Sequence, residues 1–124
     1  MARNSVYLAM RGLDVSCSDN SPEGLCLARS NFSAMDVGGT FLLDDLMNSK
    51  IPTESYDCVM SFGLLEHFED LRPLIKNLTR LVKPGGIQIH VIIPKKFSTQ
   101  ISNNLIWFPY MFLHFAIKNG TSEI

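Results

Sequence analysis

Residues 56–94 constrain the fold more than any other stretch, because they read as two buried strands joined by one amphipathic helix. The segment opens Tyr56-Asp57-Cys58-Val59-Met60-Ser61, a short run of strand-forming side chains led by an aspartate. Phe62-Gly63-Leu64-Leu65-Glu66-His67-Phe68 follows as a turn. Leu71, Leu74, Ile75, Leu78, Leu81 and Val82 then recur at helical spacing and mark one apolar face. Asp70 can cap the start of that helix, and Arg80 and Lys83 suit the negative end of its dipole. Lys83-Pro84-Gly85-Gly86 ends it. Residues 87–93 form the second strand, with no clean polar alternation, as expected when helices cover both faces.

The same alternation runs back toward the N-terminus. Residues 6–10 are the apolar end of a helix that stops at Gly12, glycine being the usual left-handed cap. Residues 13–18 make a short strand closed by Asp19. Ser21-Pro22 is a helix start, with serine as N-cap and proline in the first turn, and Leu25, Ala28, Arg29 and Phe32 follow at helical spacing. Gly38-Gly39 breaks the chain before the strand Thr40-Phe41-Leu42-Leu43, which runs into Asp44-Asp45. Residues 48–55 are a polar loop. Strands alternating with helices predict an α/β chain with a doubly wound, mostly parallel sheet. Residues 105–117 are aromatic-rich and read as helical, interrupted at Pro109.

At 124 residues with 46% hydrophobic and 19% charged side chains, the chain is one globular domain rather than a disordered tail. A net charge of −1 without a basic block gives no surface for tracking nucleic-acid phosphates. Cys17, Cys26 and Cys58 show no metal-binding spacing and cannot all pair; two of them fall in predicted buried strands, which favours small buried thiols in a reducing compartment. No signal peptide is evident and the apolar run at 105–117 is too short to span a bilayer, so the expected location is the cytoplasm.

The order of aspartate-led strand, Gly-Leu-Leu-Glu-His turn, helix, Lys-Pro-Gly-Gly stop and apolar strand resembles class I S-adenosyl-L-methionine-dependent methyltransferases. The resemblance covers roughly residues 7–94 and implies a partial Rossmann-like fold, strands two to five of a seven-stranded sheet. It implies a single partial domain, with residues 1–94 as the cofactor-side core and 95–124 as the substrate side. It also implies S-adenosyl-L-methionine as cofactor and a small-molecule methyl acceptor, with no metal.

Ligands of open parallel sheets bind outside the carboxyl ends of the strands. Asp19, Asp44-Asp45 and Ser61 stand at such ends in this sequence, and a carboxylate there can accept both hydroxyls of a ribose. By the resemblance, Asp19, with Asn20 beside it, matches the acidic position that holds the ribose. Asp45 matches the position beside the adenine. Asp44 stands where the family commonly has glycine, so either aspartate can face the ring, with Leu46 flanking it. Ser61, Phe62 and Gly63 match the segment that passes the methionine end and the transfer site. His67 is the candidate acid–base residue, because histidine is the side-chain type suited to proton transfer near neutral pH. Adjacent residues such as Glu66 and His67 point different ways on a helical turn. His90, within a buried strand, reads as a satisfied core histidine. The aromatic side chains Trp107, Phe108, Tyr110, Phe112 and Phe115 are candidates for an acceptor pocket or for ordinary core.

The family's glycine-rich loop after its first strand is missing, since Gly38-Gly39 and Gly85-Gly86 precede strands instead of following one. The resemblance gives the strand order 3-2-1-4-5-7-6, so strand one would lie between the strands at residues 13 and 56. Without it, two interior strand edges are left unpaired or must pair directly, or a partner protein or missing segment covers them. The chain is therefore expected to be a fragment of a longer enzyme, poorly stable alone and weak in cofactor binding. The competing expectation is a non-catalytic methyltransferase-like module that docks on a partner. A nicotinamide dehydrogenase ranks last, because it too needs a glycine fingerprint.

Overall fold

The structure, a computed structural model, describes residues 3–93 together with the backbone of 114–118. Helix α1 (Arg3–Met10) is followed by strand β1 (Asp14–Asp19), helix α2 (Pro22–Ala34) and strand β2 (Thr40–Leu43). A 3-10 turn (Leu46–Asn48) leads to strand β3 (Tyr56–Phe62), and a second one (Leu65–His67) leads to helix α3 (Leu71–Leu81). Strand β4 (Val82–Val91) and strand β5 (His114–Lys118) complete the described elements.

The local signals act as their chemistry requires. Gly12 turns the chain out of α1 at φ +82°. The Ser21 hydroxyl accepts the Gly24 N–H at 3.1 Å with Pro22 in the first turn of α2. Asp70 accepts the Arg72 N–H at the start of α3. Leu74, Leu78 and Leu81 of α3 are buried to 0, 0 and 2% exposure, each contributing about 1.5–3 kcal/mol of apolar transfer. They pack with Tyr56, Val59, Leu64 and Leu65 on one face of the sheet. On the other face α1 and α2 enclose Val6, Ala28 and Phe32 against Val15 and Cys17, with Met60 and Phe62 at the margin. Val59 and Met60 thus face opposite cores, as alternate residues of a central strand must.

The sheet order is β2-β1-β5-β3-β4. β1 pairs parallel with β2, and β3 parallel with β4. Between these pairs lies β5, antiparallel to both neighbours, with Ser16↔Ala116 and Val59↔Ala116 in register. The slot is neither left open nor closed by direct β1–β3 pairing. A strand from late in the chain occupies it, which corrects the helical expectation for residues 105–117 at its C-terminal end. A five-residue antiparallel strand satisfies both facing backbone edges, and a helix there would satisfy neither. The rest of 105–117, with Trp107, Phe108, Tyr110 and Phe112, lies outside the described residues.

Two further expectations change at β4. The strand begins at Val82, and Lys83-Pro84-Gly85-Gly86 is a bulge within it, the register jumping from Tyr56↔Val82 to Cys58↔Ile87. Gly86 is needed there, because an added Cβ would lie 2.7 Å from the Asp57 carbonyl oxygen. Nor do the described residues cover both faces of β4: among them Ile87, Ile89 and Val91 are 58, 41 and 43% exposed. Among the described strands β4 stands last in the sheet, and its only described strand partner is β3.

Candidate active site at the carboxyl rim

The four parallel strands end on one side of the sheet, and the polar residues foreseen for the site gather there. Asp19, the last residue of β1, is 1% exposed. Its Oδ1 accepts the Ser21 N–H at 2.8 Å, while its Oδ2 is buried without a partner. Burial pushes its carboxyl above the usual range, opposed by the backbone N–H groups of Ser21 and Asn20. Asn20 itself is exposed.

Asp44 and Asp45 follow β2 and do different jobs. Asp45 caps the 3-10 turn, its Oδ1 accepting the Met47 N–H at 3.0 Å and its Oδ2 the Asn48 amide at 3.4 Å. Asp44 donates its backbone N–H to the Asp19 carbonyl at 3.0 Å, which ties the ends of β1 and β2 together. Its Oδ1 accepts the Lys50 N–H at 3.0 Å, and its Oδ2 is buried without a partner. Leu46 is not poised at the rim: it is buried in the core beneath α3. Asn77 and Arg80 of α3 hold this segment through the Leu46 and Ile51 carbonyls, at 2.8 and 2.7 Å.

At the end of β3, Ser61 is fully buried and its Oγ lies 2.7 Å from His90 Nδ1 across the β3–β4 pair. His90 Nε2 lies 3.1 Å from Gln88 Oε1, and Gln88 donates to Thr79 Oγ1 at 3.0 Å. With Nε2 donating to the amide oxygen, Nδ1 is the acceptor for the Ser61 hydroxyl. His90 is therefore satisfied, as expected, although half-exposed on an edge strand instead of buried. Desolvation still holds its pKa below the usual value.

Gly63 adopts φ +63° and donates to the Val91 carbonyl at 2.9 Å, so the chain after β3 folds back over the end of β4. Half-buried Phe62 packs against the α1–α2 core. Glu66 Oε1 accepts the Ile93 N–H at 3.3 Å, and Glu66 Oε2 is buried without a partner. His67 is exposed.

Among the described residues, the buried side-chain oxygens lacking a partner are those of Ser18, Asp19, Asp44 and Glu66. All four lie at or just beyond the carboxyl ends of β1, β2 and β3. An unpartnered buried acceptor costs about 1–3 kcal/mol, so their concentration on one rim marks a place built to receive donors. Sequence reasoning found Asp19 and Asp44 there but missed Ser18 and Glu66. Ser18 carried a signal, since it precedes the strand-end aspartate. A cleft of about 560 Å³ lies on the sheet face, lined by Ser16, Thr40, Leu42, Lys50, Ile51 and Tyr56 among others, and reaches the rim at Asp44.

The rim thus presents two carboxylates, Asp19 and Asp44, each with one oxygen held by the backbone and one without a partner. Residues 2–90 match the family described as "Methyltransferase domain". The chain belongs to that family. It is 32% identical over 106 residues to the "Ubiquinone biosynthesis O-methyltransferase" of Proteus mirabilis, a match spanning 84% of this chain and 40% of that protein. It is 41% identical over 54 residues to the "2-methyl-6-phytyl-1,4-hydroquinone methyltransferase" of Synechocystis sp., covering 44% and 17% of the two. The fold matches the crystal structure of the PH0226 protein of Pyrococcus horikoshii OT3 with a TM-score of 0.69 at 20% identity, over 81% of this chain and 46% of that one. The methyltransferase domain described here thus spans less than half the length of these relatives. Its α/β architecture, with four strands running parallel and β5 antiparallel between them, is a partial Rossmann-like methyltransferase fold. No described helix is long and apolar enough to cross a membrane.

Proposed function

We propose that this methyltransferase domain is the cofactor-side part of an S-adenosyl-L-methionine-dependent enzyme that methylates a small quinol or phenol in the cytoplasm. The observation that carries the reading is the buried Asp19 carboxylate, with one oxygen held by Ser21 and the other awaiting a donor. Asp19 accepts the ribose hydroxyls, Asp44 or the neighbouring Asp45 accepts the adenine amine, and Ser61, Phe62 and Gly63 line the methionine end. Asp44 is the better of the two aspartates, because Asp45 already serves the 3-10 turn. The acceptor class follows the two curated relatives, one named for ubiquinone biosynthesis and the other for a hydroquinone.

S-adenosyl-L-methionine supplies a methyl group on a sulfonium, which needs no protein nucleophile. The chain's part is to orient donor and acceptor and to exclude water. His67, exposed beyond β3, is the candidate to take the acceptor's hydroxyl proton. Residues 1–94 supply the cofactor side of a single domain, while residues 114–118, expected on the substrate side, are built into the sheet between β1 and β3.

Titration of the full chain with S-adenosylhomocysteine tests this reading. We expect saturable binding with a dissociation constant of about 0.1–1 mM, corresponding to roughly −4 to −5.5 kcal/mol. Asp19→Ala should weaken it at least about tenfold. Absence of binding at millimolar ligand by a folded chain refutes the cofactor reading and favours the non-catalytic interaction module.

A further inference from the structure

Glu66 has no part in the ribose and adenine contacts, yet its carboxylate is built into the same rim. It sits in the 3-10 turn Leu65–His67 that follows β3. Buried Leu64 and Leu65 pin that turn into the α3 core. From there Glu66 Oε1 reaches the end of β4 and accepts the Ile93 N–H at 3.3 Å. Gly63 makes room for it, since an added Cβ there would lie 3.4 Å from Glu66 Oε1 and 3.3 Å from Ile93 Cδ1. Glu66 Oε2 is buried without a hydrogen-bond partner, and neither described ion pair involves it.

We propose that Glu66 holds the α-ammonium at the amino-acid end of the cofactor, an assignment that rests on the S-adenosyl-L-methionine reading. Among the described residues, three carboxylates give one oxygen to a backbone N–H and keep the other buried without a donor. They are Asp44, Asp19 and Glu66. They stand in that order across the sheet: after β2, at the end of β1 and beyond β3. The cofactor carries its donors in a matching order, adenine amine, ribose hydroxyls and α-ammonium. With the amine at Asp44 and the hydroxyls at Asp19, the ammonium falls to Glu66. The reach agrees. β1 and β3 lie two steps apart with β5 between them, a span of about 10 Å. The chain of roughly eight bonds from the ribose 3′-oxygen to the α-nitrogen extends about 10 Å. Charge decides which group is taken. An ionised carboxylate only accepts, so it repels the cofactor's own carboxylate and gains a charge-assisted bond from the cation beside it. The Ile93 N–H already fixes the Glu66 carboxylate, so little order is lost when the ligand arrives.

NMR titration of the full chain with S-adenosylhomocysteine and with 5′-methylthioadenosine tests the assignment. The second ligand shares the adenine and ribose but lacks the amino-acid end. Wild type should bind S-adenosylhomocysteine at least about fivefold more tightly than 5′-methylthioadenosine. Glu66→Gln keeps an acceptor for the Ile93 N–H and removes only the charge. It should weaken S-adenosylhomocysteine about fivefold to tenfold and change 5′-methylthioadenosine less than about twofold. Asp19→Ala should weaken both ligands alike, because both carry the ribose. Equal effects of Glu66→Gln on the two ligands, or none on either, overturn the assignment while the cofactor reading stands. So does a wild-type chain that binds the two ligands equally, a result that needs no variant. Failure of folded wild-type chain to bind either ligand overturns the cofactor reading, and this assignment with it.

Discussion

Replacing Asp19 by asparagine should make the protein more stable and its site worse, and the structure says by how much and at what pH. The carboxylate is 1% exposed, and one of its oxygens is buried with no donor. Desolvation therefore raises its pKa in the folded chain above the ordinary value of 3.8, against the pull of the Ser21 and Asn20 N–H groups. When folding raises a carboxyl pKa, the folded state holds the proton more tightly. Stability is then greatest below the unfolded pKa and is lost as pH rises through the folded one. At neutral pH the ionised Asp19 works against the fold.

Asparagine keeps the acceptor facing Ser21 and replaces an orphaned charge with an orphaned neutral amide. Orphaned buried groups cost about 1–3 kcal/mol, and charged ones more, so the difference recovered is about 1 kcal/mol at pH 7. In a domain of this size that raises Tm by roughly 4 °C. Urea unfolding of both proteins between about pH 4 and 7.5 gives the assay. The Asp19→Asn advantage should be near zero at the acid end and grow as pH rises. The same variant should bind S-adenosylhomocysteine about tenfold more weakly or worse, through loss of a charge-assisted acceptor. A variant less stable than wild type at pH 7, or an advantage independent of pH, would refute the reasoning. Either result would mean that the folded chain already supplies Oδ2 with a donor.

Two other perturbations are simpler. Leu74→Ala removes a side chain with 0% exposure at the centre of the α3 core and should cost about 3–5 kcal/mol, read as a large fall in the urea midpoint. That is a large part of a domain's whole stability of about 5–15 kcal/mol. Desolvation lowers the His90 pKa from 6.5, so its contribution is present above that value and lost as pH falls through the lower folded value. His90→Gln should flatten the stability profile just below pH 6.5, measured by the same urea titrations.

The sequence is most legible where side-chain pattern and local capping agree. The leucine stripe of α3, the Ser21 and Asp70 caps and the Gly12 stop each appear in the structure where residue chemistry places them. Burial of Cys17 and Cys58 also follows from their strand positions, and burial pushes the Cys17 thiol up to about 12, as expected of an inert core thiol. Ser61 was visible as a strand-end polar group, but its His90 partner is 29 residues away and is set by the β3–β4 register. The role of β5 was illegible for the same reason. Aromatic-rich residues at 105–117 carry a pattern that suits helix or strand, and only the two facing edges of β1 and β3 decide between them. The exposure of Ile87, Ile89 and Val91 among the described residues is not legible in the sequence, because an apolar run does not say which elements cover each face.

The orphaned oxygens at the rim connect the fold to the chemistry. A chain selected only for stability would place Ser18, Asp19, Asp44 and Glu66 where each acceptor meets a donor, as the Asp45 and Asp70 carboxylates do at their caps. Asp19 and Asp44 instead give one oxygen to the backbone and leave the other empty. The first bond fixes the carboxylate's orientation, so little is lost in freezing it when a ligand arrives, and the second oxygen is where the ligand's donors gain most. Asp44 also bonds its own N–H to the Asp19 carbonyl, which ties the backbones of the two residues together at the ends of β1 and β2. The spacing of their backbones thus follows from the parallel β1–β2 pairing, which ends at Asp19↔Leu43. Any substitution that slips the β1–β2 register should damage ligand binding before it unfolds the chain.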